Sequence, residues 1–341
     1  VYGRREYRRA YPNNQLAAHL IGYVDRDQRP VAGMEFHADF YLRGQNGWRL
    51  GERDGRNREL AQFRTREVPR ADGYSVSLSI DSAVQDIVEQ ELALIAQRFQ
   101  PRKATIIVSD PRTGFILGMG NYPSFNLNEF EKVAKEDKVA EEVAKKDKVA
   151  EEEKEPARTK NVAVADIYEP GSVFKIVAAA AALEEGLVNP GTKFNCALDK
   201  VEYQHRILKL PGEDHRFDQD ELTVAEILSR SSNRGAARLG LELGAERLHR
   251  YASAFGFGHP LGFPVGGEVG GILRRPEHWN PIDITRIPMG HTVAATALQM
   301  HQAMSVIASG GVLFRPQITR QIRDAAGETV FGAYISTHLY T

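Results

Sequence analysis

One cysteine, Cys196, stands in the 341 residues. A lone thiol excludes an internal disulfide and offers no zinc framework, and Cys196 is expected free and buried. The ten histidines are scattered, none in His-x-x-x-His or His-Glu-x-x-His spacing, so no metal site is indicated. No cofactor is implied. The glycine-rich stretch from Gly266 to Gly271 has no strand before it and no lysine after it, which excludes a phosphate loop and leaves a loop near the rim of a site. No run of about 18 apolar residues occurs, so neither a transmembrane helix nor a signal peptide is present in these residues.

Charge of one sign is also lacking, since the net is −1, and no general nucleic-acid surface is expected. The amino-terminal seventy or so residues hold Arg4, Arg5, Arg8, Arg9, Arg49, Arg53, Arg56, Arg58, Arg64, Arg66 and Arg70. These interleave with Glu52, Asp54, Glu59 and Glu67 and read as a solvated face.

What is present is enough chain for two domains, with 42% hydrophobic residues for a sizeable core. Its most informative stretch is Tyr168-Glu169-Pro170-Gly171-Ser172-Val173-Phe174-Lys175, which runs into an apolar segment ending at Gly186. Pro170-Gly171 disfavours helix before the serine, so a helix is expected at or beside Ser172, with Gly186 as its left-handed terminator. Three residues apart on a helix, Ser172 and Lys175 share a face, and the amine can reach the hydroxyl. A serine needs a neighbour to take its proton. Lysine can do so once burial keeps its amine neutral, which the flank from Phe174 to Ala182 favours.

A second element follows the helical spacing from Leu222 to Leu228, namely Ser229-Arg230-Ser231-Ser232-Asn233. The hydroxyl of Ser231 can pass a proton, and the amide of Asn233 can hold a peptide carbonyl. Ser124-Phe125-Asn126 repeats the letters but reads as a turn after Tyr122-Pro123.

Around these residues the chain has a recognisable order. The alternation Tyr74, Val76, Leu78, Ile80 predicts a strand. A helix capped by Asp81 or Ser82 follows, with Val84, Ile87, Val88, Leu92, Ile95 and Phe99 on one face. Strands over 104–110 and 115–121 flank the turn Pro111-Arg112-Thr113-Gly114. A core helix is expected over 296–309 with Leu298, Met300, Met304 and Ile307 inside. The stretch 131–155 is low-complexity: seventeen of its twenty-five residues are charged, and Asp-Lys-Val-Ala-Glu-Glu occurs at Asp137 and again at Asp147. Its valines 133, 139, 143 and 149 hold no single face, so an exposed helix is expected.

The Glu-Pro-Gly-Ser-Val-Phe-Lys segment with its alanine-rich helix, followed by Ser231-Ser232-Asn233, resembles the active-site motifs of penicillin-binding proteins. Arg9-Ala10-Tyr11-Pro12, the stretch Leu16 to Val24, Gly33-Met34-Glu35 and Leu42-Arg43-Gly44 are similar to the end of the pedestal domain of the class B members. The resemblance implies an α/β (α+β) fold of the transpeptidase and serine β-lactamase-like kind, an antiparallel sheet flanked by helices. Residues 1–72 would be the end of the β-rich, non-catalytic pedestal, of the dimerisation type, with a short helix near Asn14 to His19. Residues 73–341 would be the transpeptidase domain, with a charged insertion at 131–160.

It further implies a peptidoglycan D,D-transpeptidase, an enzyme whose catalytic residues are Ser172 (nucleophile), Lys175 (base) and Ser231 (proton relay), with Asn233 binding substrate. Implied partners are stem peptides ending in D-Ala-D-Ala, β-lactams, and a membrane glycosyltransferase of the division or elongation machinery. The implied place is the outer side of the cell membrane, held by an anchor missing from this fragment. The family's third motif, Lys-Thr-Gly, is absent. No lysine follows Lys209, and His291-Thr292-Val293 and Ser336-Thr337-His338 lack the glycine. The expectation is a chain truncated before that motif, and inactive by itself. The alternatives are a non-catalytic scaffold, or a β-lactam sensor or β-lactamase domain.

Overall fold

The computed structural model describes residues 8–52, 54–56, 60, 62, 65–146, 157–333 and 337–338. Arg4, Arg5, Arg53, Arg58, Glu59, Arg64, the repeat beginning at Asp147 and Ser336 lie outside the described residues.

The amino-terminal part holds short helices α1 (Ala18–Ile21), α2 (Gly33–His37) and α3 (Asp39–Leu42) and one antiparallel ribbon of β1 (Trp48–Leu50) with β2 (Arg66–Val68). Among the described residues it is thus more helical than the β-rich pedestal expected, and Ala18, Leu20 and Met34 on α1 and α2 are buried. Gly22 and Gly33 hold the turn between α1 and α2. Both have positive φ, and a Cβ on Gly22 would lie 1.9 Å from the carbonyl oxygen of Ala32. Ala17, Leu20, Met34 and Ala38 belong to the principal core, so this part is seated on the rest.

Strand β3 (Ser75–Leu78) leads into α4 (Ser82–Phe99), whose N-cap is Asp81, accepting from the amides of Ala83 and Val84. Then β4 (Ala104–Ser109) and β5 (Ile116–Tyr122) pair antiparallel. The charged helix is α5 (Phe130–Lys146), followed by α6 (Val162–Ala165) and α7 (Lys175–Glu184). Small strands come next: β6 (Lys193–Asn195), β7 (Lys200–Tyr203), β8 (Arg206–Lys209) and β9 (Glu221–Thr223), with β6 paired to β9 and β7 to β8. Helices α8 (Val224–Ser229), α9 (Asn233–Leu243), α10 (Ala245–Ala254), α11 (Asp283–Arg286) and α12 (Ala297–Ala308) complete the helical side. Strands β10 (Leu313–Phe314), β11 (Thr319–Arg323), β12 (Thr329–Gly332) and β13 (Thr337–His338) finish the chain; β10 pairs with β13.

The central sheet is antiparallel in the order β12-β11-β3. It joins the β4–β5 hairpin through Ile116 N to Gln317 O (2.9 Å), Gln317 N to Gly114 O (2.8 Å) and Asp81 N to Leu117 O (2.9 Å). Helix α4 covers one side of β5: a Cβ on Gly120 would sit 2.6 Å from Leu92 Cδ1. Helix α7 is buried by its alanines, with Val177, Ala178, Ala181 and Ala182 at 0% exposure. Close backbone approach to α9 and α10 follows from those small side chains.

Two apolar faces differ from expectation. On α4, Ile87 and Phe99 are exposed and Gln85 is buried in their place. On α12, Met304 and Ile307 face outward while Gln299, Gln302 and Ala303 face in. In both helices the buried glutamine answers backbone groups that an aliphatic side chain would leave unpaired.

Candidate functional site

Ser172 lies in a single 3₁₀ turn, Gly171–Phe174, that runs directly into α7. The positive φ of Gly171 (60°) turns the chain sharply enough to leave Ser172 exposed while Phe174 and Lys175 bury. The helix expected at or beside Ser172 is therefore entered through this tighter turn, with Lys175 as its first α-helical residue. At the other end Gly186, with φ 65°, terminates it.

Lys175 is 2% exposed. Its Nζ donates to Ser231 O (2.6 Å), Ser231 Oγ (3.0 Å) and Asn233 Oδ1 (2.7 Å). All three partners belong to the second motif, and none is Ser172 Oγ. Spacing places lysine and serine together on one turn, but the acceptors that fix the amine come from the α8–α9 junction. Burial lowers the basicity of Lys175, and the carboxylates of Glu213 and Asp214 act against that lowering.

Ser231 holds a left-handed conformation, φ 57°, unusual for a residue with a Cβ. The twist comes between the end of α8 and Ser232, which caps α9 by accepting from Gly235 N (2.9 Å), and it turns the hydroxyl and carbonyl of Ser231 onto the lysine. Asn233 is 4% exposed. Beyond its bond from Lys175, its Nδ2 donates to Gly212 O (2.9 Å) and Asp214 Oδ2 (3.1 Å). The amide expected to hold a peptide carbonyl thus has both N–H groups on the 212–214 loop here.

That loop escaped the sequence reading. Glu213 accepts from Ser232 Oγ (2.7 Å), Asn233 N (2.7 Å) and Arg234 N (2.9 Å), so a carboxylate sits on the N-terminus of α9. Arg234 secures the loop from behind, donating to Pro211 O (3.1 Å) and Ala197 O (2.6 Å).

On the other flank, Glu169 accepts from Thr292 N (2.9 Å) and pairs with His291 Nδ1 (2.9 Å), and these bonds hold its carboxyl below the usual range. Tyr168 and Ala295 exchange backbone bonds, and Gly171 N donates to Gly290 O (3.2 Å). A Cβ on Gly290 would fall 2.2 Å from Gly171 O, so only glycine lets the two segments meet. His291-Thr292, noted above only for resembling Lys-Thr-Gly, is therefore the brace of the turn that carries Ser172. Glu169 stood within the quoted motif, and its carboxylate beside Pro170-Gly171 was the signal for it.

Together these segments form an open pocket of about 730 Å³ lined by Ser172, Asn233, the 211–214 loop, Glu169, Arg286, Met289, His291 and Thr292. Ser124-Phe125-Asn126 is not among its walls; Asn126 instead caps the turn over 127–129. The 266–271 loop does not line it either. It packs on Asn161 and Val164 and reaches the site indirectly, through the Ile272–Ala294 pairing beside Tyr168. Cys196 is buried, and burial pushes its thiol up. Among the described residues no group of His, Cys, Asp and Glu is placed to hold a metal ion.

Comparison with known proteins agrees with this fold. The family described as the penicillin binding protein transpeptidase domain matches residues 104–338. Stage V sporulation protein D of Bacillus subtilis is 30% identical over 325 residues, covering 95% of this chain and 47% of that protein. Peptidoglycan D,D-transpeptidase FtsI of Escherichia coli K12 is 28% identical, covering 97% and 51%. The chain thus spans about half the length of these curated relatives. Among solved structures, a peptidoglycan synthetase from Bifidobacterium adolescentis superposes with a TM-score of 0.77 at 25% identity, covering 96% of this chain and 55% of that one. The D,D-transpeptidase domain of a peptidoglycan glycosyltransferase from Eggerthella lenta gives 0.75 at 25% identity, covering 98% and 71%. The expected fold, mixed helices and antiparallel sheet, is the one these structures share. On its residues, its fold and these matches, the chain belongs to the class B penicillin-binding protein transpeptidase family.

Proposed function

We propose that the chain is the acyl-transfer part of a peptidoglycan D,D-transpeptidase, with Ser172 as nucleophile. The observation that carries this is the buried Lys175 amine, held by Ser231 and Asn233 one helical turn from an exposed serine in a pocket. Ser172 Oγ attacks the carbonyl carbon of the penultimate D-alanine of a stem peptide. The C–N bond breaks, D-alanine leaves with a proton, and an ester to Ser172 remains. An amine of a neighbouring strand then attacks the ester and regenerates the hydroxyl. A neutral Lys175 supplies the base. Of its three partners, only the Ser231 hydroxyl can change from acceptor to donor, which suits it to carry the proton towards the leaving amine. Asn233 fixes Lys175, and its amide meets substrate once it exchanges the Asp214 carboxylate for a peptide carbonyl. β-Lactams acylate the same serine.

In this reading residues 1–72 end a pedestal and residues 73–341 form the transpeptidase domain. The partner is a membrane glycosyltransferase of division or elongation, and the site faces the outside of the cell membrane. Among the described residues no helix is long and apolar enough to cross a membrane. The 341 residues hold no Lys-Thr-Gly. The family draws one oxyanion donor from that strand, and loss of one such donor costs about 10²–10³ in rate. The inactivity expected of this chain alone therefore means acylation slower than that of its relatives by about that factor or more.

The test is time-resolved labelling with a fluorescent penicillin, beside Ser172→Ala. Slow, Ser172-dependent labelling is expected, and label that survives the substitution defeats the assignment. Complete absence of label over many hours favours the non-catalytic scaffold, to which the missing third motif points. Release of hydrolysed penicillin within minutes favours a β-lactamase.

A further inference from the structure

Arg286, the last residue of α11, lines the Ser172 pocket. Its side chain is half-buried, and among the described residues it makes no hydrogen bond, ion pair or ring contact. The pocket's acids are all engaged elsewhere. Glu169 holds His291 and Thr292, Glu213 holds the start of α9, and Asp214 holds Asn233. Asp283 on the same short helix takes Arg274 (3.4 Å) and Asn280 N (2.9 Å). Burial also works against the guanidinium charge. A cation withdrawn from water without a partner is costly, and one kept in that state beside a nucleophile is poised for an anion that arrives with the substrate. The planar fork of arginine fits a carboxylate in two-point contact.

The wall that carries Arg286 is also stiffly built. Thr292 sits at φ 61°, a conformation strained for a β-branched residue, and its N–H bond to Glu169 holds it there. His291 N donates to Arg286 O (3.2 Å), so the brace of the nucleophile turn also fixes the backbone of the arginine.

We propose that Arg286 is a binding residue for a carboxylate of the acyl donor, an inference that rests on Ser172 being the acylated nucleophile. Two carboxylates could supply the chemistry: the one at the donor's carboxyl terminus, or one borne further along its acyl side.

The experiment measures the second-order rate of Ser172 acylation by benzylpenicillin, by its methyl ester, and by a penicillin with a carboxylate on its acyl side chain. It uses the chain and Arg286→Met, with thermal melting to confirm that both fold. If the terminal carboxylate is the ligand, esterification slows the parent chain about 10- to 100-fold and hardly affects Arg286→Met. If the acyl-side carboxylate is the ligand, the side-chain carboxylate accelerates only the parent chain. Arg286→Lys should retain part of either effect. Equal sensitivity of parent and Arg286→Met to both changes overturns the inference, while Ser172-dependent labelling still upholds the nucleophile. Absence of Ser172-dependent labelling in both proteins refutes the inference together with the nucleophile on which it rests.

Discussion

In the proposed reaction Lys175 is the base, and its environment sets a sign that can be measured. Burial lowers its pKa from 10.5, and in that reading the reactive form is the neutral amine. Acylation by penicillin should therefore rise with pH along a limb lying below that of free lysine. Lys175→Arg should erase the limb and cost about 10²–10⁴ in rate, because arginine stays protonated. Ser231 permits a separation of strain from chemistry. Ser231→Gly and Ser231→Ala both lose the hydroxyl, so both should lose acylation equally. Only glycine relieves φ 57°, so by chemical denaturation Ser231→Gly should be the more stable by about 1 kcal/mol. Ser172 with Lys175, and Ser231 with Asn233, could be named as candidates from the sequence because each pair is defined by local spacing. Glu213 lies 20 residues before its partner Asn233, and His291 lies 122 after Glu169. Pairings at such distance leave no period in the sequence.

Among the elements, α4 shows why periodicity found the helix but misassigned part of its face. The run from Val84 to Phe99 has the right spacing, yet β5 beneath it presents glycines and the unpaired backbone of Met119. Gln85 fits that surface: it donates to Met119 O (3.0 Å) and accepts from Met119 N (2.8 Å). An aliphatic residue there would bury more carbon but orphan two backbone groups. Gln85→Leu should accordingly destabilise by about 2–4 kcal/mol in denaturant unfolding, although apolar scales rank it an improvement. The same logic holds in α12 for Gln299, whose Nε2 serves the carbonyls of Gly256, His259 and Gly270.

Across the whole molecule, the part least legible was the sheet, since β3 and β11 join residues more than two hundred positions apart and β11 has no strong alternation. Yet that pairing closes the fold. Ser79 N donates to Ile318 O (2.7 Å), and Ile318 and Ile322 are 0% and 4% exposed. The charged helix α5 is the opposite case, local in sequence and marginal to the core. Val133 is buried and Asp137 binds Thr159 (3.1 Å to its N) and Arg158, whereas Val139 and Val143 are 59% and 52% exposed. Because Asp137 already touches Thr159, the ends of an excision would be neighbours, and loop closure would cost little. Replacing residues 138–156 by two glycines should leave a cooperative thermal transition and Ser172-dependent labelling intact. Ending the chain before Ile318 removes both β11 and the core side chains that meet β3, and should abolish the cooperative transition altogether. Hydrogen exchange on the intact chain should rank the two regions in the same order, with slow amides at Ser79 and Ile322 and fast ones in α5 beyond Val139. Strong protection beyond Val139 would mean that the charged helix is part of the cooperative unit.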